Sequence, residues 1–94
     1  MSTRQMDKII EEIVGERKAQ DAKWGGPEHD DHHGPDDWIG FINDKLTKAE
    51  EAAEVDETNP DAIFRRRMLQ VAALALASIE SLDRFTERQK TLRR

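Results

Sequence analysis

The sequence predicts an all-α fold: a single domain, residues 1–94, of three helices assembled as an oligomeric helical bundle. Three observations predict it. Apolar residues recur at i, i+3, i+4 and i+7 in three separate blocks, the pattern of an amphipathic helix. Cap and breaker residues bracket each block, and no stretch alternates with the period of two that a strand requires. Hydrophobic residues make up 36% and charged residues 37% of only 94 residues, so the core is thin and polar faces abound. Clustering of the apolar residues separates this chain from a disordered one of similar composition.

The first helix is predicted over about residues 3–21. Met6, Ile9, Ile10, Ile13 and Val14 form its apolar stripe, and Ser2 or Thr3 caps its start. Gly15 lies inside it and weakens it by roughly 1 kcal/mol relative to alanine. Lys23 to Gly34 reads as a loop, because Gly25, Gly26 and Pro27 are breakers. The second helix, 35–55, opens with Pro35, Asp36 and Asp37, which suit the first turn and its positive dipole end. Its apolar face is Trp38, Ile42, Leu46, Ala49 and Ala53, with Phe41 and Ala52 alongside. Asn59-Pro60-Asp61 is a strong start signal for the third helix, 60–88, and the basic end 87–94 is expected to fray. Residues 71–79 of that helix are apolar nearly all round. Two short helices cannot cover every side, so a partner subunit is expected.

Charge is unevenly placed within a net −5. Residues 21–57 hold twelve acids against three bases, and residues 58–94 hold eight bases against four acids. The acidic middle argues against binding a nucleic-acid backbone. The basic last third suits a small phosphorylated ligand. The longest apolar run, Val71 to Ala77, is too short to span a bilayer, so no membrane partner is expected. The chain has no cysteine, and Met1 to Met6 carry no apolar signal segment. Both fit a cytoplasmic protein.

Three groups of residues carry chemistry. Glu50, Glu51 and Glu54 spell EExxE, which places Glu50 and Glu54 on one helix face with Glu51 beside them. Such carboxylates suit Mg²⁺, which takes oxygen ligands and retains water or substrate phosphate. The alternative is an exposed acidic face. Arg65, Arg66 and Arg67 span about 200° of a helix and cannot all face one ligand. Arg67, nearest the Gln70 face, can reach a phosphate or a base edge with Gln70. The alternative is surface arginines paired with Glu50, Glu54 or Asp61. Lys23 and Trp24 offer a cation and a stacking surface, although Trp24 equally serves as an anchor for the loop. His29, Asp30, Asp31, His32 and His33 are read as a hydrated, helix-capping loop without the helical i, i+4 histidine pair of a zinc site. If that loop folds over a pocket, His29 and Asp30 are its contact residues.

The ordered series Glu16-Arg17-Lys18-Ala19-Gln20-Asp21-Ala22-Lys23-Trp24-Gly25, His29-Asp30, Trp38, Gln70 to Glu80 and Leu82-Asp83-Arg84 covers roughly residues 16–84. It resembles the MazG-like all-α nucleoside triphosphate pyrophosphohydrolases, in particular small phage-encoded and bacterial members. That family's pattern is EExxE followed by ExxD on the next helix. Glu50, Glu51 and Glu54 match the first half, but Arg67 stands where the second half has Glu and Gln70 where it has Asp. A fixed cation at Arg67 would repel Mg²⁺ at a few ångströms. The resemblance therefore implies a nucleotide-binding, MazG-like protein, phage-encoded and acting in the host cytoplasm, with hydrolysis weakened or lost. Lys23, Trp24, His29, Asp30, Arg67 and Gln70 are its expected ligand contacts. One alternative is an active Mg²⁺-dependent enzyme that takes its missing acid from a neighbouring subunit. Another is a small phage inhibitor that sequesters a host-defence nucleotide signal or binds a host protein.

Overall fold

The computed structural model describes residues 2–55 and 59–92, with the side chains of 52–55 excepted. The described residues are helical almost throughout and contain no strand. Four helices appear rather than three: α1 (Thr3–Trp24), α2 (Pro27–Asp30), α3 (Pro35–Val55) and α4 (Pro60–Leu92).

Local signals explain most boundaries. Ser2 and Gln5 form a reciprocal capping box: the Gln5 amide donates to Ser2 Oγ at 3.1 Å, and the Ser2 amide donates to Gln5 Oε1 at 3.0 Å. α1 passes through Gly15 without a break and runs to Trp24, three residues beyond its expected end. Gly25 stops it with φ 106°, its amide donating to the Asp21 carbonyl at 2.9 Å, and Gly26 follows at φ 69°. Only glycine takes these left-handed values without strain, so the chain reverses sharply here.

That reversal starts α2, the helix the sequence reading took for loop. Pro27 acts as a first-turn residue rather than a breaker, and the Asp30 amide donates to the Gly26 carbonyl at 3.0 Å. The start of α3 is fixed by Asp37, whose Oδ2 accepts from the Gly34 amide at 3.0 Å. α4 continues to Leu92, so residues 87–92 are helix rather than a frayed end. No glycine or proline interrupts it, and Thr91 Oγ1 donates to the Glu87 carbonyl at 3.1 Å.

α4 is the spine. α3 packs along it most extensively, α1 less so, and α2 touches it at one place. Among the described residues the buried apolar set is small: Trp38, Ala49, Ala73 and Ala77. Ala73 and Ala77 are 0% and 1% exposed, and their small side chains permit close helix approach. The apolar centre of α4 is not covered on all sides within one chain, since Ile79 is 57% exposed.

Polar joints do much of the fastening. Glu12 on α1 holds Arg65 on α4 through both carboxylate oxygens. Asp31, just after α2, accepts from Arg84 Nε at 3.0 Å, from Arg84 Nη2 at 2.8 Å and from Arg88 at 3.1 Å. Ser81 is buried between these elements and donates to the Asp30 carbonyl at 3.3 Å.

The Arg84 hydrogen bonds, helped by Arg88, hold the Asp31 carboxyl below its ordinary 3.8. Its contribution to stability is therefore complete above that value and is lost as pH falls through the lower folded value. Asp31→Asn should cost about 1 kcal/mol at neutral pH, after screening of a partly exposed pair. That corresponds to a melting temperature lower by roughly 4–8 °C for a domain of this size. The gap from the parent should close in thermal melts below about pH 4. Equal melting temperatures at pH 7 would remove Asp31 from this role.

Candidate functional site

A cavity of about 780 Å³ opens between α1 and α3, with α4 as its floor and the α2 turn closing one end. Its two ends differ in chemistry. One is aromatic and the other is cationic.

At the aromatic end five rings touch in series. Trp24 stacks on His29, with centroids 6.0 Å apart and planes 18° apart. His29 meets His33 edge-on at 4.7 Å, and His33 meets Phe41 at 5.0 Å and Trp38 at 5.8 Å. Trp38 and Phe41 are themselves perpendicular neighbours at 5.8 Å. Edge-to-face pairs of this kind fix ring orientation as well as adding contact energy.

Lys45, Lys48 and Arg66 line the cationic end, and Lys23 stands between it and the rings. Lys23 Nζ also lies 4.8 Å from the Trp24 ring centroid. Asp44 is the local counter-charge, 3.0 Å from Lys48, and that hydrogen bond holds its carboxyl below the ordinary value. Lys45 has no such partner among the described residues. Burial first, and then repulsion from Lys48, Arg67 and Lys23, push its pKa down against the weaker pull of Asp44. A cation crowded by cations is a place where an anion relieves strain.

The α1 side of the cavity contains a buried ion cluster. Arg17, 7% exposed, donates to Asp30 at 2.6 Å, pairs with Asp21 one turn along α1, and reaches Glu80 on α4 at 3.5 Å. Burial disfavours the guanidinium charge, but Asp30 and Asp21 more than offset it and its pKa is raised. On the floor, Gln20 Nε2 donates to the Gln70 carbonyl at 3.5 Å, while buried Gln20 Oε1 has no partner among the described residues.

Lys23, Trp24, His29, Asp30 and Gln70 thus all line one cavity. The Asp30 carboxylate is engaged by Arg17 rather than free for a ligand. Arg67 lies beside the cavity, donating to Gln70 Oε1 at 2.8 Å, and Arg66 takes the place in the lining. Glu50 and Glu51 are exposed and line neither this cavity nor a second one, and the Glu54 side chain lies outside the described residues. Among the described residues no three or more histidines or carboxylates are placed to hold a metal ion together.

Sequence reasoning missed His33, Gln20, Lys45, Lys48 and Arg66, and it assigned Trp38 and Phe41 to core or interface. A signal was present. Trp38, Phe41, Lys45 and Lys48 follow one another at spacings of three, four and three, a single stripe of α3 that passes from aromatic to cationic. Comparison with protein-family models, curated proteins and solved structures finds no match for this chain.

Proposed function

We propose that this chain binds a nucleotide or nucleotide-derived small molecule in the cavity between α1 and α3, as a MazG-like protein whose pyrophosphohydrolase activity is weak or lost. The two-ended chemistry of the cavity carries this reading. A base stacks on aromatic rings, and phosphates seek cations. The volume, about 780 Å³, falls within the usual range for small-molecule sites. Arg67 and Gln70 stand where the resemblance calls for two further carboxylates, and Lys23, Lys45, Lys48 and Arg66 supply fixed positive charge in the cavity itself.

The test is retention. Purified chain is mixed with canonical, cyclic and ADP-ribose-derived nucleotides, in Mg²⁺ or in EDTA, and bound and free fractions are resolved by chromatography. Intact nucleotide should be retained in both buffers. Release of monophosphate and pyrophosphate would establish an enzyme instead, and retention of none would overturn the reading.

A second copy of the chain is the proposed cover for the apolar face. Ile39, Ile79, Leu82 and Phe85 are each more than half exposed around a second, largely apolar cavity of about 600 Å³ between α3 and α4. Exposed apolar residues in such a cluster mark association surfaces. Charge favours self-pairing, because the α3 half of the chain is acidic and the α4 half basic. In a two-fold arrangement each α4 can meet the other copy's α3. Sedimentation should give a dimer, and Phe85→Glu should convert it to monomer. A parent chain that sediments as monomer at about 100 µM, far above the micromolar range of many stable pairs, would refute this.

A further inference from the structure

We propose that His29 and His33 form a two-histidine site for a divalent transition metal, zinc being the reference ion. The site needs nothing from the nucleotide reading. The two residues are four apart, and the short α2 turn with the residues after it brings their Nε2 atoms to 3.1 Å. His33 lies beyond the end of α2, so the pair is not carried on one helix; the turn after α2 brings the two rings together instead. Two nitrogens each about 2.0–2.1 Å from one zinc ion, at angles of roughly 90–110°, stand about 2.9–3.4 Å apart. The observed separation is therefore a chelating bite.

Both rings are held in that pose before any ion arrives. His29 lies flat against Trp24, and His33 is wedged between Trp38 and Phe41. The far nitrogen of His33, Nδ1, faces Asp37 Oδ2 at 3.7 Å. Imidazole pairs suit zinc, copper and nickel rather than Mg²⁺. Two protein ligands leave the remaining positions to water or to an oxygen of whatever occupies the cavity, since both histidines line it. His32 is exposed and lines only the second cavity, which makes it the natural control.

The distance alone also fits a plain N–H···N hydrogen bond between neutral rings, so the test must detect metal directly. Untagged full chain is titrated with zinc chloride by calorimetry, and its histidine ring signals are followed by NMR. One zinc per chain should bind, shifting the His29 and His33 signals and leaving those of His32. Loss of an outer partner of a metal ligand weakens binding about 10–100-fold, so His29→Gln and His33→Gln should each weaken it at least ~10-fold. His32→Gln should bind as the parent does. Circular dichroism checks that each variant is folded, and the ring signals of the parent give the answer without any variant. Absence of saturable binding would overturn the site. So would zinc shifts centred on His32, or His29→Gln and His33→Gln variants that bind like the parent.

Discussion

Arg17→Ala should lower the unfolding free energy by about 3–5 kcal/mol, the usual effect of stranding a buried carboxylate. Asp30 is 6% exposed and has Arg17 as its ion-pair partner at 2.6 Å. Without the guanidinium its charge has little water and only the more distant Arg84 as a counter-ion. Asp21 and Glu80 are less affected, because their side chains are 38% and 46% exposed and remain hydrated. Domains have only about 5–15 kcal/mol in total, so this variant sits near the edge of folding. Urea unfolding followed by circular dichroism measures the loss. Arg17→Met combined with Asp30→Leu should be less destabilised than Arg17→Ala, since removing both charges leaves nothing unpaired. A loss below about 1 kcal/mol for Arg17→Ala would mean that the cluster is solvated like a surface pair.

Lys45→Met should weaken nucleotide binding by about 10–150-fold, the range for losing one charge-assisted hydrogen bond of roughly 1.5–3 kcal/mol. The same change should leave the melting temperature of the free protein unchanged or raised. Burial and three neighbouring cations already penalise the Lys45 charge in the folded chain, so a neutral side chain of similar length relieves it. The two readouts move in opposite directions, which separates a binding residue from a structural one. The pH dependence follows with a definite sign. The Lys45 pKa lies below the ordinary 10.5, and an anion favours the protonated form. Affinity should therefore decline as pH rises through that lowered value, and a Lys45→Met variant should lack this component. Equal affinity of variant and parent in calorimetric titrations would remove Lys45 from the site.

The helices were legible because their punctuation is local. Ser2, Pro35 and Asn59-Pro60 act within one turn of themselves, and each start falls where the sequence places it. α2 escaped because Pro27 has two roles, breaker after one helix and first residue of the next, and only the Gly25–Gly26 reversal decides between them. The cavity was legible from α1 and the α2 segment but not from α3. Trp38 and Phe41 read as core by composition; Trp38 is buried as expected and Phe41 is partly exposed, and both also line the cavity because α1 leans on α4 rather than on α3. Arg17 gave no signal at all. A buried arginine is recognised by the carboxylates folded around it, and Asp30 and Glu80 come from other elements.

α1 and α3 each rest on α4, and among the described residues they have little packing against each other. The molecule is thus a pair of tongs hinged along one rod, 57 Å in its longest extent. An occupant that touches both jaws serves as the missing layer of the interior, so occupancy and rigidity become the same variable. The empty chain would breathe most at α1, the jaw with fewer attachments, and a filled one would open and unfold as a single unit.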